Sequence, residues 1–280
     1  MDSNNPIIIN FAPTGMVPQK DVTPHVPIQP AEIIEQTHEA YEMGITIAHL
    51  HAREIDGTPT HKVSVYRDIF EGVRKHCPNL VISASLSGRK VQEVEMRAEV
   101  LQLKPDMGSL TLSSLNFSRQ ASQNSPEVII GLIEQMDKHG VHPELECFDA
   151  GMINYSKYLI KKKLLKAPYY YNILCGNVAT AQADLSYLGL MIRDLPEESL
   201  WALAGIGLDQ LKINTIAIAA GGGVRVGLED NIWFDSNKST LATNIDLIKR
   251  IHEIANISGR PIMSPETFGG MGFYNKWRNQ

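Results

Sequence analysis

His49-Leu50-His51, at the end of the apolar run Ile45-Thr46-Ile47-Ala48, sets two imidazoles two residues apart. Residues i and i+2 of a strand share a face, so both rings point the same way. Two imidazoles converging from one strand end are half of a transition-metal site. The pattern is short, and two ordinary polar residues near a strand end look the same. Other groups bear on the choice. Glu144 and Glu146 are also two apart, beside apolar Leu145 and Cys147. Carboxylates on an otherwise buried strand are costly unless an arginine or a metal compensates them. Ser109 and Thr111 repeat the spacing, although small hydroxyls also fill narrow layers of a core. Arg225 is followed by Gly227-Leu228-Glu229-Asp230-Asn231, a cation with two carboxylates close behind it.

Eight apolar runs must position these groups: 7–12, 45–51, 80–85, 106–112, 143–148, 169–174, 200–205 and 222–226. Amphipathic segments alternate with them: 30–43, 63–76, 89–103, 126–139, 150–163, 183–194, 208–219 and 239–257. Pro30 and Pro126 stand at first helical turns, and Gly44 and Gly140 mark helix ends. Eight βα units in about 250 residues are the arithmetic of a TIM (β/α)8 barrel. A doubly wound open sheet needs a Gly-rich phosphate turn after its first strand, and Ala12-Pro13-Thr14-Gly15 is not one. No internal repeat, linker or low-complexity segment divides the chain. The expectation is one barrel domain over 1–280, with a C-terminal tail from about 266 to 280.

In such a barrel, chemistry gathers at the C-terminal strand ends and the loops that follow. Strand 1 ends at Thr14-Gly15 and enters a long, Pro-rich loop, 16–29. Strand 2 delivers His49 and His51. Strand 3 delivers Ser85, followed by Ser87-Gly88-Arg89. Strand 4 delivers Ser109 and Thr111, and strand 5 Glu144 and Glu146. In a closed barrel strand 8 lies beside strand 1, with strand 2 one further round, so Glu229 can reach over the mouth to both histidines. Two histidines and a carboxylate with open positions compose a catalytic divalent site. Asp230 and Arg225 then stand beside the metal as candidate base and anion clamp. Thr14, Thr111 and Glu144 are candidate substrate contacts. Gly176, Gly205 and Gly207, with Gly221-Gly222-Gly223, offer backbone N–H groups for a phosphorylated substrate or nucleotide-tailed carrier. Tight turns require the same residue type.

Composition removes other classes. The net charge is −5 and no basic stripe calls for nucleic acid or an anionic membrane. Lys161-Lys162-Lys163 is the one basic run and reads as a solvated helix end, with a phosphate contact as its alternative. Cys77, Cys147 and Cys175 form neither a disulfide framework nor a zinc ribbon, which suits a cytoplasmic protein. The N-terminus has no basic region followed by a long apolar one, and no run is long enough to span a bilayer.

Taken in order along about 7–265, these motifs resemble the β-keto acid cleavage enzymes. The resemblance rests on Thr14-Gly15, His49-Leu50-His51-x-Arg53, Ser85 with Gly88, and Ser114-Leu115-Asn116-Phe117. It continues through Pro143-Glu144-x-Glu146 with Gly151-Met152, Ala202-x-Ala204-Gly205-Ile206-Gly207, Arg225-x-Gly227-x-Glu229-Asp230-Asn231 and Gly259-Arg260-Pro261. It implies a TIM barrel with one divalent metal, usually zinc, held by His49, His51 and Glu229. It places Ser85, Ser109, Glu146, Arg225 and Asp230 at substrate-binding and catalytic positions. It also implies an oligomer, commonly a homotetramer, and a reaction of a β-keto acid with acetyl-CoA that gives acetoacetate and a new acyl-CoA.

Three departures from the reference pattern stand out. Val17 occupies the place where the amino-substrate member has a carboxylate for an ammonium group, so a neutral or apolar acid is expected rather than a cationic one. Ser109 replaces a threonine and keeps its hydroxyl. The loop Gly176-Asn177-Val178-Ala179-Thr180 lacks a second glycine pair and the tail from Phe268 is rich in glycine and aromatics, which bears on the acyl-CoA entrance. A metal-dependent hydrolase or aldolase-type lyase on the same barrel, and a non-catalytic barrel, are the competing readings.

Overall fold

Along the inward face of the central strands, side chains change from apolar to polar toward the C-terminal end. Ile47 gives way to His49 and His51, Val81 to Ser83 and Ser85, Met107 to Ser109 and Thr111, and Tyr170 to Asn172. This gradient is a consequence of period-two alternation, and it builds an apolar floor beneath a polar mouth. The computed structural model describes residues 5–278; Met1–Asn4 and the last two residues of the expected tail lie outside the described residues.

The barrel strands are β1 (Ile9–Phe11), β2 (Ile47–Leu50), β3 (Val81–Ala84), β4 (Met107–Thr111), β5 (His142–Cys147), β6 (Tyr169–Cys175), β7 (Ser199–Gly205) and β8 (Gly223–Val226). All pair in parallel with their neighbours in chain order, and Asn10 opposite Arg225 joins β1 to β8 and closes the ring. The expected TIM barrel is therefore present.

The surrounding helices are α1 (Pro30–Met43), α2 (Val63–His76), α3 (Val94–Ala98), α4 (Pro126–Lys138), α5 (Ala150–Lys161), α6 (Leu185–Arg193), α7 (Asp209–Ala219) and α8 (Asn244–Ser258). Their starts are chemically marked. Ser125, Asp149, Asp184 and Thr243 accept backbone N–H bonds from the first turns of α4, α5, α6 and α8. Gly44 ends α1 at φ 95°, a left-handed conformation that costs glycine little. None of these helices is long and apolar enough to cross a membrane.

Two expected helices start late. Residues 89–93 are loop; only Val94–Ala98 is α-helical, continued as a 3₁₀ turn over Glu99–Leu103. A side chain on Gly88 would meet Gln123 O at 2.5 Å, so this loop is pressed onto its neighbour before the helix begins. The segment expected from 239 begins at Asn244, where Thr243 caps it. Two short antiparallel ribbons were not expected: Ala52–Arg53 with Pro59–Thr60, and Leu115–Asn116 with Ala121–Ser122.

The tail closes the opposite end from the polar mouth. After α9 (Pro265–Phe268) a wide turn spans Gly269–Phe273, and Phe268 and Phe273 stack with centroids 4.2 Å apart. They pack beneath Ile8, Ile47, Val81, Met107, Tyr170 and Ala202. Arg278 and Arg74 both bond to Asp106 and fasten the tail there. The tail therefore forms the floor of the barrel, at the end opposite the polar mouth. Gly221-Gly222-Gly223 also lies at the N-terminal end of β8, where Gly222 leaves room for the Trp201 ring and its carbonyl accepts from Arg260. It is a tight turn on the wrong face for a carrier phosphate.

Candidate active site

Glu144 sits at the centre of the barrel, fully buried. Oε2 lies 2.8 Å from His49 Nδ1 and accepts from Ser83 Oγ at 2.6 Å; Oε1 accepts from Asn10 Nδ2 at 2.6 Å and Asn172 Nδ2 at 3.0 Å. Burial alone would raise its carboxyl, but His49, Arg225 and the Ser83 hydroxyl hold it far below the usual carboxylate range. Its oxygens are thus engaged beneath His49 by groups of the protein itself, where the sequence suggested a substrate contact.

The Nδ1–H of His49 donates downward to Glu144, which turns the lone pair of Nε2 toward the mouth. There His49 Nε2 and His51 Nε2 are 3.3 Å apart, and Glu229 Oε1 is 3.1 Å from His51 Nε2. Glu229 Oε2 stands 4.0 Å from His49 Nε2 and is buried without a hydrogen-bond partner. Burial lowers the pKa of His51 despite Glu229, while Glu144 and Glu229 outweigh burial and raise that of His49. One donor atom from each of His49, His51 and Glu229 lies within 4.8 Å of the others. Two convergent imidazole nitrogens and an orphaned carboxylate oxygen fit a divalent cation. Gly15 makes the arrangement possible: a Cβ there would stand 2.4 Å from Glu229 Cγ.

Arg225 is the hub on the other side. Nε and Nη2 contact Asp230 at 2.9 and 3.2 Å, Nη2 reaches Glu229 at 2.8 Å, and Nη1 reaches Glu146 at 3.5 Å. Thr111 Oγ1 donates to Glu146 at 2.7 Å. Burial raises the pKa of both Asp230 and Glu146, with Arg225 opposing it in each case. One arginine thus separates two carboxylates poised toward protonation, the condition of a general acid–base group.

The remaining expected residues are placed as follows. Ser85 is buried at the end of β3. Ser109 Oγ accepts from Leu86 N–H at 3.0 Å, which fixes the loop after β3 and leaves its own O–H free to donate. Thr14 is buried and its hydroxyl has no partner. Val17 is 63% exposed, on a loop that Arg53 fastens by donating to Pro18 O. The phosphate cradle expected at Gly176, Gly205 and Gly207 is corrected. The Gly176 N–H bonds to Ala181 O and the Gly207 N–H to Asp230 O, while Gly205 is pressed against the backbone of Asp209. Of these glycines, Gly207 supports Asp230 through its N–H.

Four residues of the site were missed. Asn10, Ser83 and Asn172 sit on the faces their spacing dictates: Ser83 is two residues before Ser85, and Asn10 and Asn172 are four before Thr14 and Gly176. His61, beyond the first ribbon, has a buried Nδ1 without a partner, and burial beside His51 and Arg97 pushes it down to about 4. No sequence pattern pointed to it.

A closed parallel barrel carrying a two-histidine, one-carboxylate cluster and an arginine–carboxylate fork at its C-terminal mouth is an enzyme architecture of the TIM-barrel class. The family model described as beta-keto acid cleavage enzyme matches residues 6–269, and the chain belongs to that family. It is 34% identical to the 3-oxoadipate:acetyl-CoA acetyltransferase of Cupriavidus necator, over 92% of this chain and 91% of that protein. It is 35% identical to the 3-keto-5-aminohexanoate cleavage enzyme of Fusobacterium nucleatum, over 93% and 95% of the two chains. Among solved structures, apo ObcA superposes with a TM-score of 0.78 at 18% identity, covering 90% of this chain and 66% of that one, a likeness of fold.

Proposed function

We propose that this protein cleaves a β-keto acid with acetyl-CoA, giving acetoacetate and a new acyl-CoA, at a divalent metal site formed by His49, His51 and Glu229. The carrying observation is the orphaned Glu229 oxygen facing two convergent imidazole nitrogens, with Asp230 held beside it by the shared Arg225. A divalent ion held by His49, His51 and Glu229 would supply Lewis acidity to a keto oxygen, and zinc is the ion we propose.

The chain's own groups carry the proton and the charge. Asp230, next in the chain to Glu229 and raised by burial, takes a proton from the methylene between the keto and carboxylate groups. The carbanion attacks the thioester carbonyl of acetyl-CoA, and the carbon–sulfur bond breaks. The released thiolate attacks the original keto carbon. The bond between that carbon and the former methylene breaks, and Asp230 returns its proton to the departing acetoacetate. Arg225 remains charged throughout and spreads its fork over Asp230, Glu229 and Glu146. Ser85 and Ser109 donate to developing oxyanions, and Thr111 fixes Glu146. Thr14 offers its unpartnered hydroxyl to the substrate. Val17 at the rim offers no charge for an ammonium group, so a cationic acid is disfavoured.

Exposed Leu185, Tyr187 and Leu190 on α6, with Leu208 and Leu211 at α7, support self-association, and a homotetramer is what the family resemblance implies. Three free, buried thiols fit a reducing cytoplasm. Incubation with a panel of β-keto acids and acetyl-CoA, followed by mass spectrometry, tests the reading: acetoacetate and the matching acyl-CoA are expected together. Cleavage that proceeds without acetyl-CoA favours a hydrolase or lyase instead.

A further inference from the structure

The arginines around the mouth are unequally occupied. Arg225 is paired with three carboxylates. Arg53 donates to Pro18 O and Gly57 O, and Arg97 to Leu86 O, Gln123 O and Asn124 Oδ1. Arg89 differs. It lies in the loop after β3, and its guanidinium carbon sits 3.5 Å over the centre of the Phe117 ring. Phe117 is itself held edge-on against buried Phe148, with centroids 5.7 Å apart. Among the described residues, Arg89 makes no ion pair, and none of its N–H groups donates to a protein acceptor. Its nitrogens are not among the buried, partnerless atoms either, so they reach solvent.

A stacked guanidinium engages its flat face and leaves its in-plane fork of donors open, the geometry that binds a carboxylate with two parallel hydrogen bonds. The platform is also fixed. Gly88 O accepts from Gln123 N–H at 3.3 Å, and a Gly88 side chain would collide with both Gln123 O and Arg97. The preceding Leu86 is tied through its N–H to Ser109 and through its carbonyl to Arg97. The loop of Arg89 leaves β3 directly after buried Ser85, and Phe117 beneath it follows β4, so the free cation stands at the same C-terminal mouth as the metal ligands.

We infer that Arg89 is a specificity-determining anion clamp, and that the β-keto acid this protein cleaves carries a second, distal carboxylate. This inference rests on the β-keto acid cleavage reading and deepens it. The keto acid's own carboxylate belongs with the metal and leaves Arg89 for a second anion. The phosphates of CoA are separated from the thioester by the long pantetheine arm. A cation fixed on the loop that follows Ser85 therefore suits the far end of a short acid rather than those phosphates. The neutral or apolar acid expected from Val17 alone is replaced by an anionic one; Val17 offers a cation no partner and Arg89 adds the attraction.

The test compares straight-chain 3-oxo acids as matched pairs, such as 3-oxoadipate against 3-oxohexanoate, each with acetyl-CoA, in the native protein and in Arg89→Met and Arg89→Lys. The native protein is expected to prefer the dicarboxylate. In Arg89→Met the ratio of kcat/KM, dicarboxylate over monocarboxylate, falls roughly 10- to 100-fold, through the KM of the dicarboxylate, as loss of a charge-assisted hydrogen-bonded pair requires. Arg89→Lys restores part of the ratio. A native preference for the monocarboxylates, or a fall of both acids by the same factor, overturns the assignment and leaves the cleavage reading standing. A rise confined to the KM of acetyl-CoA also overturns it and moves Arg89 to the carrier phosphates. Failure of every acid to yield acetoacetate and acyl-CoA overturns the cleavage reading and this inference with it.

Discussion

Glu144 Oε2 lies 2.8 Å from His49 Nδ1, at the bottom of the polar half of the barrel, and this contact decides which nitrogen of His49 faces the mouth. The carboxylate has no opening to substrate, since Ser83, Asn10 and Asn172 occupy the rest of it. Carboxylates that hold a ligating histidine typically govern metal affinity by about 10- to 100-fold. Glu144→Gln is therefore expected to weaken metal binding by that factor in a competition titration with a chromophoric chelator. Unaltered affinity would show that His49 does not need this partner.

Gly15 and Glu229 meet so closely that no side chain fits between them. A Cβ at position 15 would stand 2.4 Å from Cγ and 2.8 Å from Cδ of Glu229. Gly15→Ala is expected to displace the Glu229 carboxylate and reduce bound metal per chain, measured by elemental analysis after gel filtration. Stoichiometric metal in this variant contradicts the ligand assignment of Glu229.

Asp230 is clamped by Arg225 and raised by burial, and it is assigned the proton transfer. Asp230→Asn keeps the shape and removes the base. The expected loss in kcat is on the order of 10²- to 10⁴-fold, the usual contribution of a general base. Metal content should persist. A kcat near that of the native protein would transfer the role to Glu146, the other raised carboxylate on Arg225.

The floor makes a separate pH prediction. His142 packs against Phe273 with centroids 4.6 Å apart, and burial pushes its imidazole down to about 4. In the unfolded chain the same group titrates near 6.5. Between those values the unfolded state binds a proton that the folded state refuses, so stability declines as pH falls through 6.5 toward 4. The decline from this group is about 3 kcal/mol at its limit. His142→Gln should flatten the fall of melting temperature with pH over that window; an unchanged slope would exclude His142 as its source.

Much of the fold could be read from period and punctuation. The eight apolar runs coincide with the eight barrel strands because buried parallel strands are near-continuously apolar, and α2 spans Val63–His76 as its amphipathic period indicated. His49, His51 and Glu229 could be brought together because barrel closure fixes which strand ends are neighbours. The failures have two causes: amphipathic periodicity says nothing about loops, and strand spacing gives a residue's face but not its depth in the barrel. Arg89 fell inside an apparent helix start, so its stacking on Phe117 was hidden. Glycines were read as phosphate cradles, yet those after β6 and β7 donate within the protein, and the run before β8 lies at the floor. Glu144 and Glu146, equivalent in spacing, differ because only Glu144 is deep enough to meet Asn10 and Asn172.

The most direct measurement follows carbon. The protein, loaded with zinc, is incubated with a β-keto acid and acetyl-CoA carrying heavy carbon in its acetyl group. The products are then resolved by mass spectrometry. Acyl transfer requires the label to appear in the keto and methyl carbons of acetoacetate, with unlabelled acyl-CoA formed in equal amount. Removal of the metal should abolish both products. Label-free acetoacetate, free carboxylic acid in place of acyl-CoA, or undiminished turnover in the metal-free protein would contradict a metal-centred acyl transfer at His49, His51 and Glu229.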